Sequence, residues 1–557
     1  MEESFIFYIE KSIRENWDNP ALTDFKGVNC NYKDVARKIE KLHILFEHSG
    51  IQRGDKIALC GRNMTNWGIA FFATLSYGAV AVPILNDFTP GNVHALVNHS
   101  DARLLFAGCA VWKHLDAGEM PGVEGVISLE DFSVTCSRNE ALVTARASLN
   151  ELFGKKFPER FLPSSVSYRR DNLDDLAIIN YTSGTTTAPK GVMLPYRSLW
   201  SNLLFAFGVF GEMPGERVIS MLPMAHMYGM AFEFIYEFAS GAQVFFLTRT
   251  PSPQIIAESF ARIKPNLIVS VPLIIEKIIR KRVFPVVERP WMKVLLRVPV
   301  VKSRVRAAIC RQVVSAFGGN FKELIVGGAA LNKEVEDFLH AIRFPYTVGY
   351  GMTEAGPILS YDGWATTRKG SCGKTVPRME LKIDSPDPAR VVGEILARGD
   401  NLMTGYYKNE EATRAVFTAD GWMHTGDLGL IDADGYLFIK GRCKNMILGP
   451  NGQNIYPEEI EDRLCALPYV SEAIVTERDH KIVALVCPDA EALAADGKES
   501  PGELEKIMED NRQQLNHTLP AYSQVTRFIV QVDEFEKTPK RSIKRYLYQD
   551  EESRRDT

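Results

Sequence analysis

The amino-acid sequence predicts an α/β protein with more than one domain, and three observations lead to this prediction. The chain has 557 residues, more than one hydrophobic core usually accommodates. Its first 175 residues alternate segments of helical apolar periodicity with short apolar runs. A stretch rich in glycine, proline and asparagine, at 449–454, precedes a further set of helix-like and strand-like segments. Such alternation indicates largely parallel sheets covered by helices.

The individual elements follow from the spacing of apolar residues. Residues 32–49 have the apolar spacing of a helix, and the uncharged stretch 66–86 is divided by Gly78 and Pro83. That division predicts a buried helix at 67–77 and a strand at 79–85 rather than a membrane span. Short apolar runs predict further strands at 56–60, 102–107, 125–129, 176–179, 218–222, 266–272, 323–326 and 346–348.

A smaller second domain is predicted after residues 441–444. Residues 455–461 lead into a helix, and this helix forms an α+β pattern of ordinary domain size with the strands predicted at 473–476 and 481–486. We therefore expect an N-terminal domain over 1–441 and a C-terminal domain over 442–557.

Composition limits the classes of function. A net charge of −4 argues against nucleic acid as the main partner. The nine cysteines form no CxxC pair, which indicates free thiols in a reducing compartment and no zinc site. The first residues carry charges where a signal peptide has an apolar core. We expect a cytoplasmic protein without a transmembrane segment.

Residues 181–191, with the sequence YTSGTTTAPKG, form the most informative stretch. Hydroxyls and glycines let backbone and side-chain donors approach an anion, and Lys190 adds a mobile charge, so the loop suits a polyphosphate. It lacks the spacing of a Walker A loop, and a polar surface turn is the alternative. The candidate phosphate-binding residues are Thr182, Ser183, Gly184, Thr185, Thr186 and Lys190.

Other candidate residues follow predicted strand ends, where open α/β sheets bind ligands. His226 is one, although a single histidine is more often structural. Tyr350, beside Gly351, could stack on a base, and the Thr353–Glu354 pair offers a hydroxyl and a carboxylate suited to Mg²⁺. Asp427 could accept hydrogen bonds from sugar hydroxyls, and Arg442 could donate to them.

Residues 280–311 form a basic segment, with ten lysines and arginines and one acid, Glu288. Apolar residues are interleaved with the charges. Such a segment can lie on an anionic membrane surface or bind a nucleotide. The alternative is a solvent-exposed helical insertion without a binding role.

Seven motifs in a fixed order give the chain a family resemblance. They are YTSGTTTAPKG (181–191), LPMAH (222–226), GGAAL (327–331), GYGMTE (349–354), TGD (425–427), GRCK (441–444) and NIYPEEIE (454–461). From about Tyr32 to Tyr546 the chain resembles the adenylate-forming superfamily, and most of all long-chain fatty acid–CoA ligases. The resemblance implies a large N-terminal domain of stacked αβ sheets and a small, mobile α+β C-terminal domain.

The resemblance also implies an activity and a set of roles. Such enzymes join a carboxylic acid to ATP, release pyrophosphate and pass the acyl group of the acyl-AMP to a thiol. The 181–191 loop and Lys190 would hold the β- and γ-phosphates, Thr353 would touch the α-phosphate, and Glu354 would bind Mg²⁺. The adenine would lie between Tyr350 and the backbone of Gly328, Ala329 and Ala330, with Gly351 beside it, and Asp427 and Arg442 would bind the ribose.

The remaining implied roles concern the acid and the second half-reaction. His226 matches the residue that closes over the carboxylate, and Lys444 matches the hinge of the C-terminal domain. After the domain rotates, the segment with Gly449 and Gly452 would help to form the tunnel for CoA.

Two departures from the family pattern affect these expectations. Thr187 replaces a glycine of the phosphate loop. Ser542 stands where the family has the C-terminal lysine that contacts the acyl carboxylate and the α-phosphate. Lys540 and Lys544 flank it, and residues two apart on a strand face the same side. Either could replace the missing lysine, and Lys540 is preferred because it lies in the more adaptable loop.

The acid is predicted to be a long-chain fatty acid. The run that follows His226 contains no aspartate to pair with an amino acid's ammonium, and its methionines and aromatic residues suit an apolar chain. The basic segment would provide a peripheral contact with the inner membrane face. An aryl or medium-chain acid, or an acyl carrier protein as acceptor, is the enzymatic alternative. The non-enzymatic alternative is a nucleotide-binding pseudoenzyme.

Overall fold

The computed structural model describes residues 3–182, 189–248, 253–287, 289, 291–292, 298–448, 453–478, 481–498, 500–531, 533–537 and 543–549. They form a large N-terminal part with two stacked, mostly parallel sheets and a smaller α+β C-terminal part. The α/β fold class with a small C-terminal domain is thereby confirmed.

An eight-stranded sheet carries the strand that leads into the 181–191 loop. In spatial order its strands are Gly405–Tyr406, Lys190–Pro195, Leu176–Thr182, Val80–Ile84, Lys56–Cys60, Ala102–Ala107, Gly125–Ser128 and Val134–Ser137. The central strands run parallel, and antiparallel pairs close both ends.

A seven-stranded sheet carries the strand that precedes His226. Its spatial order is Tyr346–Val348, Glu323–Val326, Leu267–Ser270, Arg217–Ser220, Gln243–Phe246, Pro20–Asp24 and Asn29–Asn31. All of its neighbouring strands run parallel except the last pair.

The main hydrophobic core lies between these two sheets. It contains residues of both, such as Leu59 and Val244, together with the helix Thr65–Tyr77, in which every residue except Tyr77 is buried. That helix has no polar face because it is enclosed on all sides. Further helices cover the outer faces and bury two more clusters there.

Residues 350–442 form two antiparallel sheets, unlike the mostly parallel sheets of the preceding residues. The strands Tyr350–Gly351, Ile358–Tyr361 and Lys374–Thr375 form an antiparallel sheet, and so do Met379–Asp384, Gly393–Gly399, Met423–Ile431 and Leu437–Arg442. Short connections such as 385–392 leave no room for a crossover helix, so neighbouring strands pair antiparallel.

The C-terminal part is built on a three-stranded sheet. Val470–Arg478 pairs antiparallel with Lys481–Pro488, which pairs parallel with Arg527–Val530. The pairs Ile447–Leu448 and Asn454–Ile455 precede it. The helix Pro457–Leu464 packs on the first strand of this sheet.

The helices of the described residues complete the layers. In chain order they are Phe5–Glu15, Tyr32–His48, Thr65–Tyr77, Pro90–His99, Cys109–Trp112, Glu140–Ala147, Leu149–Lys156, Tyr196–Phe210, Met227–Met230, Tyr236–Ala239, Pro253–Ile263, Pro272–Ile278, Phe284–Val287, Pro299–Ala316, Lys333–Ala341, Glu410–Val416, Pro457–Leu464, Ala490–Ala495, Pro501–Thr518 and Tyr546–Gln549. Among the residues described, no helix is both long and apolar enough to cross a membrane.

Candidate active site

The phosphate-loop candidates are framed by two paired strands. Thr182 and Lys190 are direct partners at the ends of Leu176–Thr182 and Lys190–Pro195, so the intervening residues connect two fixed points. Ser183, Gly184, Thr185, Thr186 and the departure at Thr187 lie outside the described residues.

Lys190 belongs to a group of three side chains from separate elements. Its ammonium nitrogen lies 4.8 Å from the ring centroid of Tyr406. The Tyr406 hydroxyl donates a hydrogen bond of 3.1 Å to Oε1 of Glu354. Burial, followed by the Glu354 carboxylate, raises the pKa of Tyr406, so this phenol remains a donor at neutral pH. The structure therefore brings the predicted phosphate and metal residues together through Tyr406.

Glu354 stands on a single 3-10 turn, Thr353–Ala355, which directly follows the glycine-rich strand 350–351. No group of three or more metal-ligating side chains occurs among the residues that the structure describes. Mg²⁺ is usually held by one or two carboxylates together with phosphate oxygens and water. A single well-placed carboxylate beside a lysine therefore fits Mg²⁺ that arrives with a polyphosphate.

Tyr350, Asp427 and Arg442 form the second group. The Tyr350 hydroxyl donates to Oδ2 of Asp427 at 2.8 Å, and Nε of Arg442 lies 3.2 Å from Oδ1 of the same carboxylate. Asp427 and Arg442 are direct partners on neighbouring antiparallel strands. Asp427 is 7% exposed, whereas the Arg442 side chain is 61% exposed.

The surroundings of Asp427 affect its protonation in opposite directions. Burial raises the pKa of Asp427, while Arg442 and the Tyr350 hydroxyl partly offset the rise. Buried polar groups need partners, and these two neighbours occupy one oxygen each. The arrangement fixes the carboxylate in the middle of the strand Met423–Ile431, at the residue for which the sequence predicts ribose binding.

The glycine motifs have separate physical reasons. Gly328 adopts φ +84°, a left-handed conformation that favours glycine, and it is exposed together with Ala329 and Ala330. A Cβ on Gly351 would come within 2.0 Å of the Pro357 carbonyl oxygen. Gly351 is therefore required by close backbone packing, which the sequence interpretation had assigned to ligand contact alone.

His226 is half-exposed at the start of the helix Met227–Met230. Its Nδ1 accepts a hydrogen bond of 3.3 Å from the Tyr228 N–H and so caps the helix. A Cβ on Gly327 would lie 2.9 Å from the Tyr228 ring, so that ring packs against the glycine turn after strand 323–326. His226 thus lies close to the turn that contains Gly328.

Glu233 is a functional candidate that the sequence interpretation missed. It is fully buried, and its Oε2 accepts hydrogen bonds from the N–H groups of Met221 at 3.0 Å and Leu222 at 2.8 Å. Burial raises the pKa of Glu233 well above its usual range. An acid inside the apolar run 230–236 was the signal available, because buried acids need a specific partner.

Lys444 lies at the predicted border between the two parts of the chain, and a hydrogen bond from Arg280 joins those parts. Lys444 is exposed in the turn Cys443–Asn445, and Asn445 donates to Oε1 of Glu458 at 2.6 Å. Arg280 lies 3.4 Å from a Glu334 oxygen and donates to the Cys465 carbonyl at 3.4 Å. Gly449 and Gly452 lie outside the described residues.

The two candidate replacement lysines have different settings. The side chain of Lys544 donates to Oε2 of Glu536 at 3.1 Å, and its backbone N–H donates to the Glu536 carbonyl at 2.8 Å. A single antiparallel bridge joins Lys537 to Ile543. Lys540 and Ser542, between the bridged residues, lie outside the described residues.

Comparisons with known proteins show which family the sequence matches. Residues 9–407 match the family described as AMP-binding enzyme, and residues 444–551 match its C-terminal domain. The chain is 30% identical over 499 residues to "Long-chain-fatty-acid--CoA ligase FadD15" of Mycobacterium bovis, with 85% of this chain and 79% of that protein covered. It is 29% identical over 490 residues to "4-coumarate--CoA ligase 5" of Oryza sativa subsp. japonica, with coverages of 84% and 81%.

A solved structure agrees at the level of the fold. The anthranilate CoA ligase AuaEII, in complex with anthranoyl-AMP, superposes with a TM-score of 0.76 at 20% identity, and the match covers 98% of this chain and 96% of that one. Together with the match of the family over most of the sequence, this shows that the chain belongs to the AMP-binding, adenylate-forming enzyme family.

Proposed function

We propose that the protein is an AMP-forming acid–CoA ligase that activates a long-chain fatty acid through an acyl-AMP. One observation carries the proposal: the five residues from Tyr350 to Glu354 connect two polar groups. Tyr350 contacts Asp427 at one end, and Glu354 contacts Tyr406 beside Lys190 at the other. A nucleotide has the same polarity, with a base and ribose at one end and a polyphosphate at the other.

The nucleoside is assigned to the first group. The ring of Tyr350 and the exposed backbone of 328–330 would hold the adenine between them. Asp427 accepts from the ribose hydroxyls, and Arg442, largely exposed, donates to them. Because Asp427 is already held by two partners, it loses little conformational entropy on binding.

The phosphates are assigned to the second group. The acid carboxylate attacks the α-phosphorus of ATP, the new O–P bond forms, and the bond to pyrophosphate breaks. Negative charge moves to the leaving pyrophosphate, where Lys190 and the donors of the 181–191 loop stabilise it. Mg²⁺ bound at Glu354 would supply further positive charge to the phosphate oxygens, and Thr353 would donate to the α-phosphate.

The acid is assigned to the side of His226, which would lie over its carboxylate. The chain that follows this residue is apolar: Met227, Met230 and Phe232 are buried in the same short helical stretch. The similarity to FadD15 favours a fatty acid. A 4-coumarate ligase of almost equal identity favours an aryl acid, which is therefore the second candidate.

The thiol-transfer step is assigned to a rotation of the C-terminal domain about Lys444. The CoA thiolate attacks the acyl carbon of the acyl-AMP, the thioester bond forms, and AMP leaves with the electrons of the broken C–O bond. Gly449 and Gly452 are proposed to lie along the CoA tunnel after the rotation. Domain borders that join through a few residues commonly absorb such changes.

A peripheral membrane contact through the basic segment is part of the proposal. Arg304 and Arg311 are exposed on the helix Pro299–Ala316, seven residues apart and therefore on one face. Trp291 is 52% exposed and Val298 40% exposed in the same segment. Exposed arginines beside exposed apolar side chains match an anionic bilayer surface.

The test is ATP–pyrophosphate exchange with a panel of acids, repeated as thioester formation with CoA. Long-chain fatty acids should drive exchange, and CoA should then be acylated. Faster exchange with 4-coumarate or benzoate-type acids would select the second candidate. Transfer to an acyl carrier protein but not to CoA would identify the carrier protein as the acceptor of the acyl group. The absence of exchange with every acid, at saturating Mg-ATP, would favour the nucleotide-binding pseudoenzyme.

A further inference from the structure

Four of the five residues that precede His226 exchange backbone hydrogen bonds with side chains of other elements. Asn63 donates through Nδ2 to the Leu222 carbonyl at 2.6 Å, and its Oδ1 accepts from the Met224 N–H at 2.9 Å. The buried Asn180 donates to the Ala225 carbonyl at 2.9 Å. With the two bonds to Glu233, these contacts fix four of the five residues from 221 to 225.

The three side chains come from different parts of the fold. Asn63 follows the strand Lys56–Cys60, and Asn180 lies within Leu176–Thr182, both in the eight-stranded sheet. The 221–225 segment continues the strand Arg217–Ser220 of the seven-stranded sheet. Glu233 lies on the helical turn Ala231–Ile235, just beyond the helix that His226 caps. The segment is therefore held between both sheets and its own following helix.

These contacts explain why the strand ends two residues earlier than the apolar run predicts. The N–H groups of Met221 and Leu222 donate to Glu233. A buried backbone N–H without a partner is costly, so the bonds to Glu233 replace those to a neighbouring strand. The turn is thus specified by polar side chains, and apolar packing alone would have extended the strand.

We propose that Asn63, Asn180 and Glu233 are positioning residues for His226, acting through the backbone of 221–225. The proposal rests on the assigned role of His226 over the acid carboxylate. Two of the three side chains, those of Asn180 and Glu233, are almost or fully buried. Polar side chains are costly to bury, and Nδ2 of Asn180 and Oε2 of Glu233 both bond to this one short segment. The segment leads directly to the proposed carboxylate-binding residue.

Asn63 is the residue to test because it is half-buried and makes two of the contacts. Asn63→Ala should raise KM for the acid by about tenfold or more in pyrophosphate exchange and change KM for ATP by less than about twofold. Asn63→Asp keeps an acceptor for Met224 and should fall between wild type and Asn63→Ala. If Asn63→Ala does not fold, Asn63→Asp is measured in its place.

A matched control comes three residues later. Asn66 is buried and donates to the Glu130 carbonyl at 2.9 Å, away from the 221–225 segment. Asn66→Ala should lower the unfolding midpoint in the same way as Asn63→Ala but leave KM for the acid unchanged. Equal rises of KM in both variants would show a general structural effect and overturn the proposal.

A double-mutant cycle separates positioning from independent contributions. Positioning through His226 predicts that Asn63→Ala has less than about a twofold further effect in a His226→Ala background. Additive effects would contradict it. This cycle requires that the wild type catalyses exchange, so failure of the proposed function would be recognised first, in the wild type.

Amide hydrogen exchange tests how firmly Asn63 holds residues 221–225, without any measurement of enzyme activity. Asn63→Ala should speed exchange at the Met224 N–H by about tenfold or more, and Asn66→Ala should not, because only Asn63 accepts from that group. Unchanged exchange at Met224 would overturn the proposal even if the wild type activates no acid.

Discussion

The carboxyl group of Asp427 illustrates how single residues are prepared for a ligand. Tyr350 donates to one of its oxygens and Arg442 approaches the other, while the protein buries most of the side chain. The sequence predicted the residue types at this site, because carboxylate and guanidinium groups suit sugar hydroxyls. It did not predict that Asp427 and Arg442 are cross-strand partners, since the strand register depends on long-range pairing.

Tyr406 and Glu233 show what the sequence motifs left out. Tyr406 lies outside every motif used in the interpretation, yet its hydroxyl joins Glu354 to the surroundings of Lys190. Glu233 lies in the apolar run after His226, and the sequence interpretation gave it no role. Both residues contact groups outside their own element. Such contacts follow from the approach of separate elements, which local spacing does not encode.

At the scale of single residues, a further question is which lysine takes the place of the C-terminal lysine that the family usually has. Lys544 is bound to Glu536 by its side chain and its backbone, whereas Lys540 is midway between the bridged residues 537 and 543 in sequence. We expect Lys540→Ala to slow pyrophosphate exchange by at least about tenfold, roughly 1.4 kcal/mol of barrier. Lys544→Ala should have less than about a threefold effect.

The pair of variants contains its own control, since each removes one lysine from the same segment. The opposite ranking would assign the role to Lys544. If both variants keep the wild-type rate, neither lysine replaces the missing one.

At the scale of elements, the helix Thr65–Tyr77 packs closely against the helical turn Ala231–Ile235. A Cβ on Gly68, in its middle, would lie 2.8 Å from a ring carbon of Phe234. That ring is fully buried and touches Phe72, with ring centroids 4.5 Å apart. The glycine is therefore a packing requirement, although the helix itself would be more stable with alanine.

We predict that Gly68→Ala destabilises the protein. Alanine improves the helix by about 1 kcal/mol, but overpacking a rigid core costs about 1–3 kcal/mol, so the net loss should be about 1 kcal/mol. The unfolding midpoint in denaturant would measure it.

Gly208 provides the control for this prediction. It lies exposed in the helix Tyr196–Phe210, and its Cβ would meet no atom within 4 Å. Gly208→Ala should therefore raise the midpoint. A higher midpoint for Gly68→Ala as well would show that the Phe234 ring moves aside easily.

The sequence predicted some elements better than others. Runs bounded by charges or turn residues, such as Lys56–Cys60 and Ala102–Ala107, appear with the predicted bounds. The strand before His226 is shorter than predicted, because Glu233 takes its last N–H groups. The antiparallel pairing in residues 350–442 was not predicted, since strand direction there depends on connection length more than on apolar spacing.

At the scale of the whole molecule, the basic segment is predicted to bind anionic bilayers. Vesicles that contain an anionic lipid should sediment the protein at low salt. Binding should fall as salt rises, because exposed charges are screened over about 10 Å at 0.1 M. Arg304→Glu with Arg311→Glu should abolish most of the binding, since each basic residue near the surface contributes about 1 kcal/mol.

A control with the same change of net charge is available elsewhere. Arg390 and Arg414 are exposed, the first in the connection 385–392 and the second on the helix Glu410–Val416, and their replacement by glutamate should leave vesicle binding nearly unchanged. Equal losses in both double variants would show that only the overall charge matters. Binding that is absent or insensitive to salt would contradict the contact.

The pairing of Asp427 with Arg442 also has a mechanical consequence. The strand that ends at Arg442 is fixed to its neighbour as far as that last residue, and the exposed turn with Lys444 begins directly after it. The proposed rotation must therefore pivot beyond Arg442, in the few bonds from 443 onwards. Bound nucleotide would further stabilise the N-terminal side of this pivot. The rotating C-terminal domain could then exchange its substrates while the nucleoside stays bound to the N-terminal domain.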